Sequence, residues 1–275
     1  IGVDASGRAH RAEAQAALGR DTVLVTVMHA NNETGVLQPV AELAALAHAA
    51  GALLHTDAAQ SVGKVAVRVR ELGVDLLTVA GHKLYAPKGV GALYVKRGTK
   101  LAPLLLGAGH ERGLRPGTEN VAAIVGLGAA CEAVGHDLET VAARMCTLRD
   151  TLWQRLLDAV PGIERNGHPT LRLPNTLNVR FPGTSGNDLL AAAPELAAST
   201  GSACHEGHER ASGVILAMGI PADVALCSVR LSLGRSTTQE EVTRAADLLV
   251  AKWRRTCVAR PALASSARTL PESDT

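Results

Sequence analysis

The sequence predicts an α/β architecture built on a mostly parallel sheet, followed by a smaller α+β unit. Four apolar, β-branched runs fill the first hundred residues, at Thr22 to Met28, Ala52 to His55, Leu76 to Ala80 and Ala92 to Val95. Between the first two lies an Ala/Leu-rich stretch, Pro39 to Ala50, opened by a proline and closed by Gly51, which is the punctuation of a helix. Strands that alternate with helices argue for a parallel sheet covered by those helices. Beyond about residue 160 the pattern shifts to short strands and short helices, which marks a second unit.

Taken in order, His10 to Ala14 reads as a polar helix just before the first strand. The connection from the third run to the fourth holds Pro87 and Gly89 and is too short for a helical crossover, so Ala92 to Val95 is expected to run antiparallel to its neighbour. A long helical segment from Glu119 to Val160 follows, with a break expected at Gly135. Strands are expected at Asn175 to Phe181, Leu196 to Thr200 and Ser228 to Leu233, and helices at Asn187 to Ala193 and Ala211 to Met218. Thr237-x-x-Glu240 reads as a capping box for a last helix ending near Trp253. The division is then 1–135 for the large unit, 136–160 for a connecting helix, 161–255 for the small unit and 256–275 for a disordered tail.

Charge excludes one class of partner. Lys+Arg 28 against Asp+Glu 26 leaves +2, and Tyr85, Tyr94, Trp153, Phe181 and Trp253 are the only aromatics, so neither a basic face nor a stacking platform for nucleic acid is present. No run reaches the ~18 apolar residues of a membrane span, and a soluble chain is expected. The five cysteines lack any C-x-x-C pair, which fits a reducing, cytoplasmic setting rather than a disulfide framework.

Polar residues crowd at the strand ends, where open α/β sheets bind ligands. The first strand runs into His29-Ala-Asn-Asn-Glu-Thr-Gly35, the second into His55-Thr-Asp-Ala-Ala-Gln60, the third into Gly81-His82-Lys83. Lys83 is one of six lysines, and in a partly dry pocket such an amine has a lowered pKa and forms Schiff bases with aldehydes. Asp57 on the neighbouring strand suits a carboxylate that keeps a pyridine nitrogen protonated, the arrangement that makes pyridoxal phosphate an electron sink. The bland alternative is that Asp57 caps a turn and Lys83 lies on the surface.

These strings, with Arg115-Pro-Gly-Thr-Glu-Asn120, Gly201-Ser-Ala-Cys-His205 and Ser228-Val-Arg-Leu-Ser-Leu-Gly-Arg235, resemble the cysteine desulfurase and selenocysteine lyase group of pyridoxal-phosphate enzymes in the class V aminotransferase-like superfamily. The resemblance implies the fold type I large domain of that class, a mostly parallel sheet incomplete at its amino-terminal side, with a smaller carboxy-terminal α+β domain. It implies that Lys83 holds the cofactor as a Schiff base, Asp57 pairs with the pyridine nitrogen, Gln60 contacts the phenolic oxygen and His82 the phosphate. Asn32 and Arg230 would hold the substrate carboxylate, Arg as a bidentate fork. Asn32 also counts among the cofactor contacts. Thr118 would reach the phosphate of a partner subunit's cofactor in a homodimer. Cys204 would be the nucleophile, leaving L-alanine and a persulfide; with Lys83 and His82 it completes the catalytic set. His205, Glu206 or His208 can assist its deprotonation. Cys204, His205 and His208 also permit a metal reading, but His-Glu-x-His is one residue short of the zinc-protease motif and no metal is expected. Cys131, Cys146, Cys227 and Cys257 read as buried or incidental. The implied partners are L-cysteine or L-selenocysteine and a sulfur-acceptor or scaffold protein, with iron–sulfur cluster assembly among the uses of the sulfur.

Two departures qualify the resemblance. Ala80 stands where desulfurases carry a phosphate-binding Ser or Thr. The family also has about 120 residues ahead of the point where this chain begins, including a phosphate loop at a helix N-terminus and a histidine that stacks on the cofactor. Ser-Thr-Gly-Ser-Ala-Cys favours the desulfurase; Arg-Pro-Gly-Thr-Glu-Asn, Cys-His and Ala80 pull toward the lyase. Readings of other classes are a non-catalytic remnant that dimerises or binds an acceptor, and an ordinary aminotransferase, which has no use for a thiol at 204.

Overall fold

The computed structural model describes residues 1–201 and 210–259. In chain order these form α1 (Arg11–Ala17), β1 (Leu24–Met28), α2 (Val40–Ala49), β2 (Leu53–Asp57), α3 (Val69–Leu72), β3 (Leu76–Ala80), a 3-10 turn (Gly81–Lys83) and β4 (Gly91–Val95). Then follow α4 (Val121–His136), α5 (Leu138–Ala159), β5 (Glu164–Arg165), β6 (Thr176–Arg180), α6 (Gly186–Ala191), α7 (Gly213–Ala217), α8 (Ala222–Ala225), β7 (Ser228–Ser232) and α9 (Gln239–Ala259).

Strands β1 to β4 make one sheet in sequential order. β1, β2 and β3 are parallel, with Met28 opposite Asp57 and Asp57 opposite Thr78. β4 runs antiparallel to β3, Ala80 facing Gly91, as its short connection predicts. α2 lays Val40, Leu43, Ala44 and Ala47 on this sheet, against Leu54, Val74 and Leu77. Asp75 welds the layers: it accepts from the Leu54 amide at 2.9 Å, meets His48 at 2.7 Å and Lys96 at 3.0 Å. Burial alone would push its carboxyl up, but these donors outweigh burial and hold it below the usual carboxylate range.

The second sheet is β5-β6-β7, antiparallel throughout. Its inner face, with Leu177, Val179, Phe181, Val229 and Leu231, packs on Leu148, Leu152 and Leu156 of α5 and Val242, Ala246 and Leu249 of α9. α5 is thus part of the second core as well as a connection.

Several expectations are corrected. The helical break falls at Asp137, not Gly135, and α4 and α5 meet there at 73°; an ion pair from Asp137 to Arg235 holds the corner. Leu196 to Thr200 is not a strand: only Ser199 pairs with β7, as a single bridge to Arg230, because Leu196 is still turned back onto Ala193 and Gly201, at φ +77°, takes the chain away. The cap of α9 is Thr238 with Glu241, the Thr238 hydroxyl accepting from the Glu241 amide at 3.2 Å and the Thr238 amide donating to the Glu241 carboxylate at 2.9 Å. Thr237 is occupied instead by the Gly234 amide at 2.8 Å. α9 continues through Ala259, past Trp253, so residues 256–259 are helical rather than tail; residues 260–275 lie outside the described residues. Cys131 is exposed and Cys146, Cys227 and Cys257 are half-buried, so none of these four is a core residue. Among the described residues no single helix is long and apolar enough to cross a membrane.

Candidate active site

The carboxyl ends of the parallel strands β1, β2 and β3 all open on one edge, and neighbouring strands stand about 4.8 Å apart. The edge is fixed from within. His29, just past β1, is buried and its Nδ1 meets the Ser61 hydroxyl at 2.9 Å, tying the end of β1 to the turn after β2; burial pushes its imidazole down, toward the neutral form. The His29 amide donates to the Asp57 carbonyl at 2.8 Å, and the Ala58 amide to the Thr78 carbonyl at 3.0 Å.

Asp57 is exposed, and one carboxylate oxygen accepts the Ala59 amide at 2.8 Å. That is the turn-capping contact, and it leaves the carboxylate open to solvent. Gln60 is half-buried in the same turn. His82 and Lys83 are exposed. The expectation of a partly dry pocket around Lys83 is therefore corrected: in the 3-10 turn Leu84 takes the inward place, 1% exposed, and packs on Leu127 and Val134 of α4. The turn demands glycine at its start, since a Cβ on Gly81 would lie 2.7 Å from the Val90 carbonyl oxygen. The desolvated lysine is Lys64, whose Nζ donates to the Lys83 carbonyl at 3.2 Å and whose amine is pushed down to about 8 by burial and by the Lys83 charge.

The small unit closes on this edge through the turn after β1. Leu37 and Leu173 donate their amides to the carbonyls of Leu171 and Gly35, at 3.0 and 2.8 Å, and the Asn178 carboxamide donates to the Glu33 carbonyl at 3.1 Å. These contacts bring Arg230 of β7 to Asn32: its Nη1 donates to the Asn32 carbonyl at 2.9 Å, while its buried Nε has no partner among the described residues. Tyr85, at φ +70°, accepts the Arg235 amide on its hydroxyl at 2.7 Å, a second tie between the units.

Glu33 is the buried residue at this junction that sequence reasoning passed over. It is buried, its Oε2 accepts from the Ser212 hydroxyl at 2.6 Å, and a Cβ on Gly201 would lie 2.5 Å from the same oxygen. One carboxylate therefore touches the residues on both sides of the stretch that carries Cys204. Burial raises its pKa, with Ser212 and Arg230 offsetting part of the rise. Its place in Asn-Asn-Glu-Thr-Gly was the available signal. Cys204, His205, Glu206 and His208 lie outside the described residues. Thr118 is exposed on the segment before α4, with its carbonyl bound by Arg115, and among the described residues nothing joins it to the strand-end cluster.

The family model for aminotransferase class-V matches residues 1–245. The chain belongs to that family. This class-V chain is 45% identical over 251 residues to a protein named cysteine desulfurase 2 from Trichormus variabilis, covering 90% of the chain and 63% of the relative. It is 44% identical to a cysteine desulfurase IscS from Anaeromyxobacter dehalogenans, covering 90% and 62%. Among solved structures, a NifS-like protein superposes with a TM-score of 0.81 at 33% identity, covering 91% of this chain and 66% of that one. Another, from Rickettsia africae, gives 0.84 at 27%, covering 92% and 69%. The class-V chain thus shares the α/β fold of these enzymes and spans about 63% of the length of the curated relatives it matches.

Proposed function

We propose that the chain carries the cofactor- and substrate-holding part of a pyridoxal-phosphate-dependent cysteine desulfurase. The observation that carries this is the gathering of Lys83, His82, Asp57, Gln60 and Asn32 at one end of one sheet, with Arg230 of the second sheet bonded to Asn32, in a chain similar to proteins named cysteine desulfurase. The donor set fits the cofactor: an accessible amine, a carboxylate, a carboxamide and an imidazole stand on adjacent strand ends. Lys83 would hold it covalently, Asp57 its ring nitrogen, Gln60 its phenolic oxygen and His82 its phosphate. When bound, the cofactor draws electrons from the substrate's α-carbon and activates its carbon–sulfur bond.

The rest falls to side chains of this chain. Arg230, whose buried Nε has no partner among the described residues, is suited to take the substrate carboxylate beside Asn32. The Cys204 thiolate would attack the substrate sulfur; as the sulfur–sulfur bond forms, the carbon–sulfur pair leaves with the three-carbon fragment, which takes a proton to become L-alanine. Cysteine plus one thiol gives alanine plus one persulfide, so no outside oxidant or reductant is needed. Thr118 would act across a homodimer. The exposed apolar side chains on either side of it, Leu104, Leu106, Val121 and Val125, support a second subunit there.

Purified chain mixed with pyridoxal phosphate should show an absorption band that Lys83→Ala abolishes, and should release alanine from cysteine in a way Cys204→Ala stops. Alanine from selenocysteine alone would transfer the proposal to a selenocysteine lyase; activity untouched by Cys204→Ala would point to an aminotransferase. A second reading is a binding protein without turnover; it predicts no band that depends on Lys83.

A further inference from the structure

Behind the Lys83 turn lies a cavity of about 820 Å³ between the 64–68 segment, the start of α5 and residues 170–174. Four cationic side chains line it, Lys64, Arg68, Arg149 and Arg172, against Asp137 and Glu139. Several of these charges are already matched: Arg68 by Glu71, Arg149 by Asp150 and Asp137 by Arg235. Arg172 is not. It is 4% exposed, its Nη2 donates to the Thr176 carbonyl at 2.5 Å and reaches the Thr34 carbonyl at 3.5 Å, and its buried Nε and Nη1 have no partner among the described residues. A buried guanidinium with two idle donors and no carboxylate against it is costly, and native proteins give such groups a countercharge.

The neighbours sharpen the imbalance. Burial, with the charges of Arg149 and Arg165, pushes Arg172 down to about 9 despite Asp150 and Cys146, and it remains a cation at neutral pH. Lys64, on the same cavity, is depressed by burial and by Lys83. Burial is the larger cause at both cations, with neighbouring positive charge adding to it. The excess of cationic over anionic side chains lining the cavity and the unmatched charge of Arg172 suit an oxyanion, for which arginine is the usual ligand.

We propose that this cavity is an anion-binding site, distinct from the strand-end cluster, that takes a carboxylate or phosphate group as the countercharge of Arg172. Through Lys64, which touches the Lys83 carbonyl, an occupant is one side chain away from the turn that carries Lys83.

The test is calorimetric titration of the 275-residue chain with inorganic phosphate and, in a separate arm, with succinate, each against sodium chloride at matched ionic strength. One anion per chain is expected, weakened about tenfold or more by Arg172→Met and unchanged by His82→Ala; the arm that binds more tightly identifies phosphate or carboxylate as the group. If Arg172→Met does not fold, by circular dichroism, the double variant Lys64→Met, Arg68→Gln carries the same expectation. No saturable binding in either arm overturns the proposal, as does binding that these variants leave unchanged or that His82→Ala removes.

Discussion

In the three-stranded sheet, Leu177, Val179, Phe181 and Val229 are fully buried between α5 and α9, whereas in the four-stranded sheet Leu24, Met28 and Leu93 stay 39 to 51% exposed on the outer strands β1 and β4. The small unit is sealed on its inner face; the large one leaves its outer strands and the mouth of its strand ends in solvent. Apolar area removed from water is the main favourable term in folding. The contrast is between sheet faces: the small unit closes its inner face under two long helices, and the large unit, besides its own core under α2, leaves strand-end side chains accessible.

The strongest way to break this contrast is to hollow each side in turn. Phe181→Ala should cost about 3–5 kcal/mol of unfolding free energy in urea, while Leu93→Ala on the exposed edge should stay within about 0.5 kcal/mol; equal losses would refute the division. The junction comes next. Asn178 is buried, donates to the Glu33 carbonyl and accepts from Asn166 at 2.8 Å, so Asn178→Ala should cost about 1–3 kcal/mol and should weaken the docking of Arg230 beside Asn32. Thr238→Ala removes the cap of α9 and should cost about 1 kcal/mol, read in the same urea series.

The smallest effect, and the most diagnostic, is in pH. Glu33 has a raised folded pKa, so its contribution is full below the unfolded value near 4.5 and is lost as pH rises through the folded one. Asp75 has a depressed folded pKa, so its contribution is present above about 3.8 and is lost as pH falls through the folded value. Glu33→Gln should flatten the decline of stability on the rising side, and Asp75→Asn the loss on the acid side. Thermal unfolding across pH 2 to 7 (about the range in which carboxylates titrate) would read both, and one variant erasing both slopes would contradict the assignment.

Elements whose signal is local were legible in the sequence. The β-branched runs place β1 to β4 within one or two residues, and the short Pro87–Gly89 connection gives the direction of β4. Features decided by distant partners were not. The helix corner sits at Asp137 rather than at the nearby glycine because Arg235, far along the chain, pairs with it. Leu196 to Thr200 has the apolar character of a strand, but its one β-bridge among the described residues is Ser199 to Arg230. In the site, Lys83, Asp57 and Asn32 stood out as polar residues at apolar strand ends, and Arg230, in the middle of β7, only through the family resemblance. Glu33, Lys64 and Arg172 did not, because what sets them apart is burial, and their burial is made by Ser212, by the Lys83 turn and by the Thr34 and Thr176 carbonyls respectively.

The bond from the Arg235 amide to the Tyr85 hydroxyl has a use beyond its energy. The donor belongs to the chain just past β7 and the acceptor to the turn just past Lys83, so that one proton is shielded only while the two units are docked. Its exchange with deuterium, set against the amides inside the β6–β7 ladder, is a clock for separation of the units without unfolding of either: a natural isotopic reporter, one peptide bond wide, on how often the two units part.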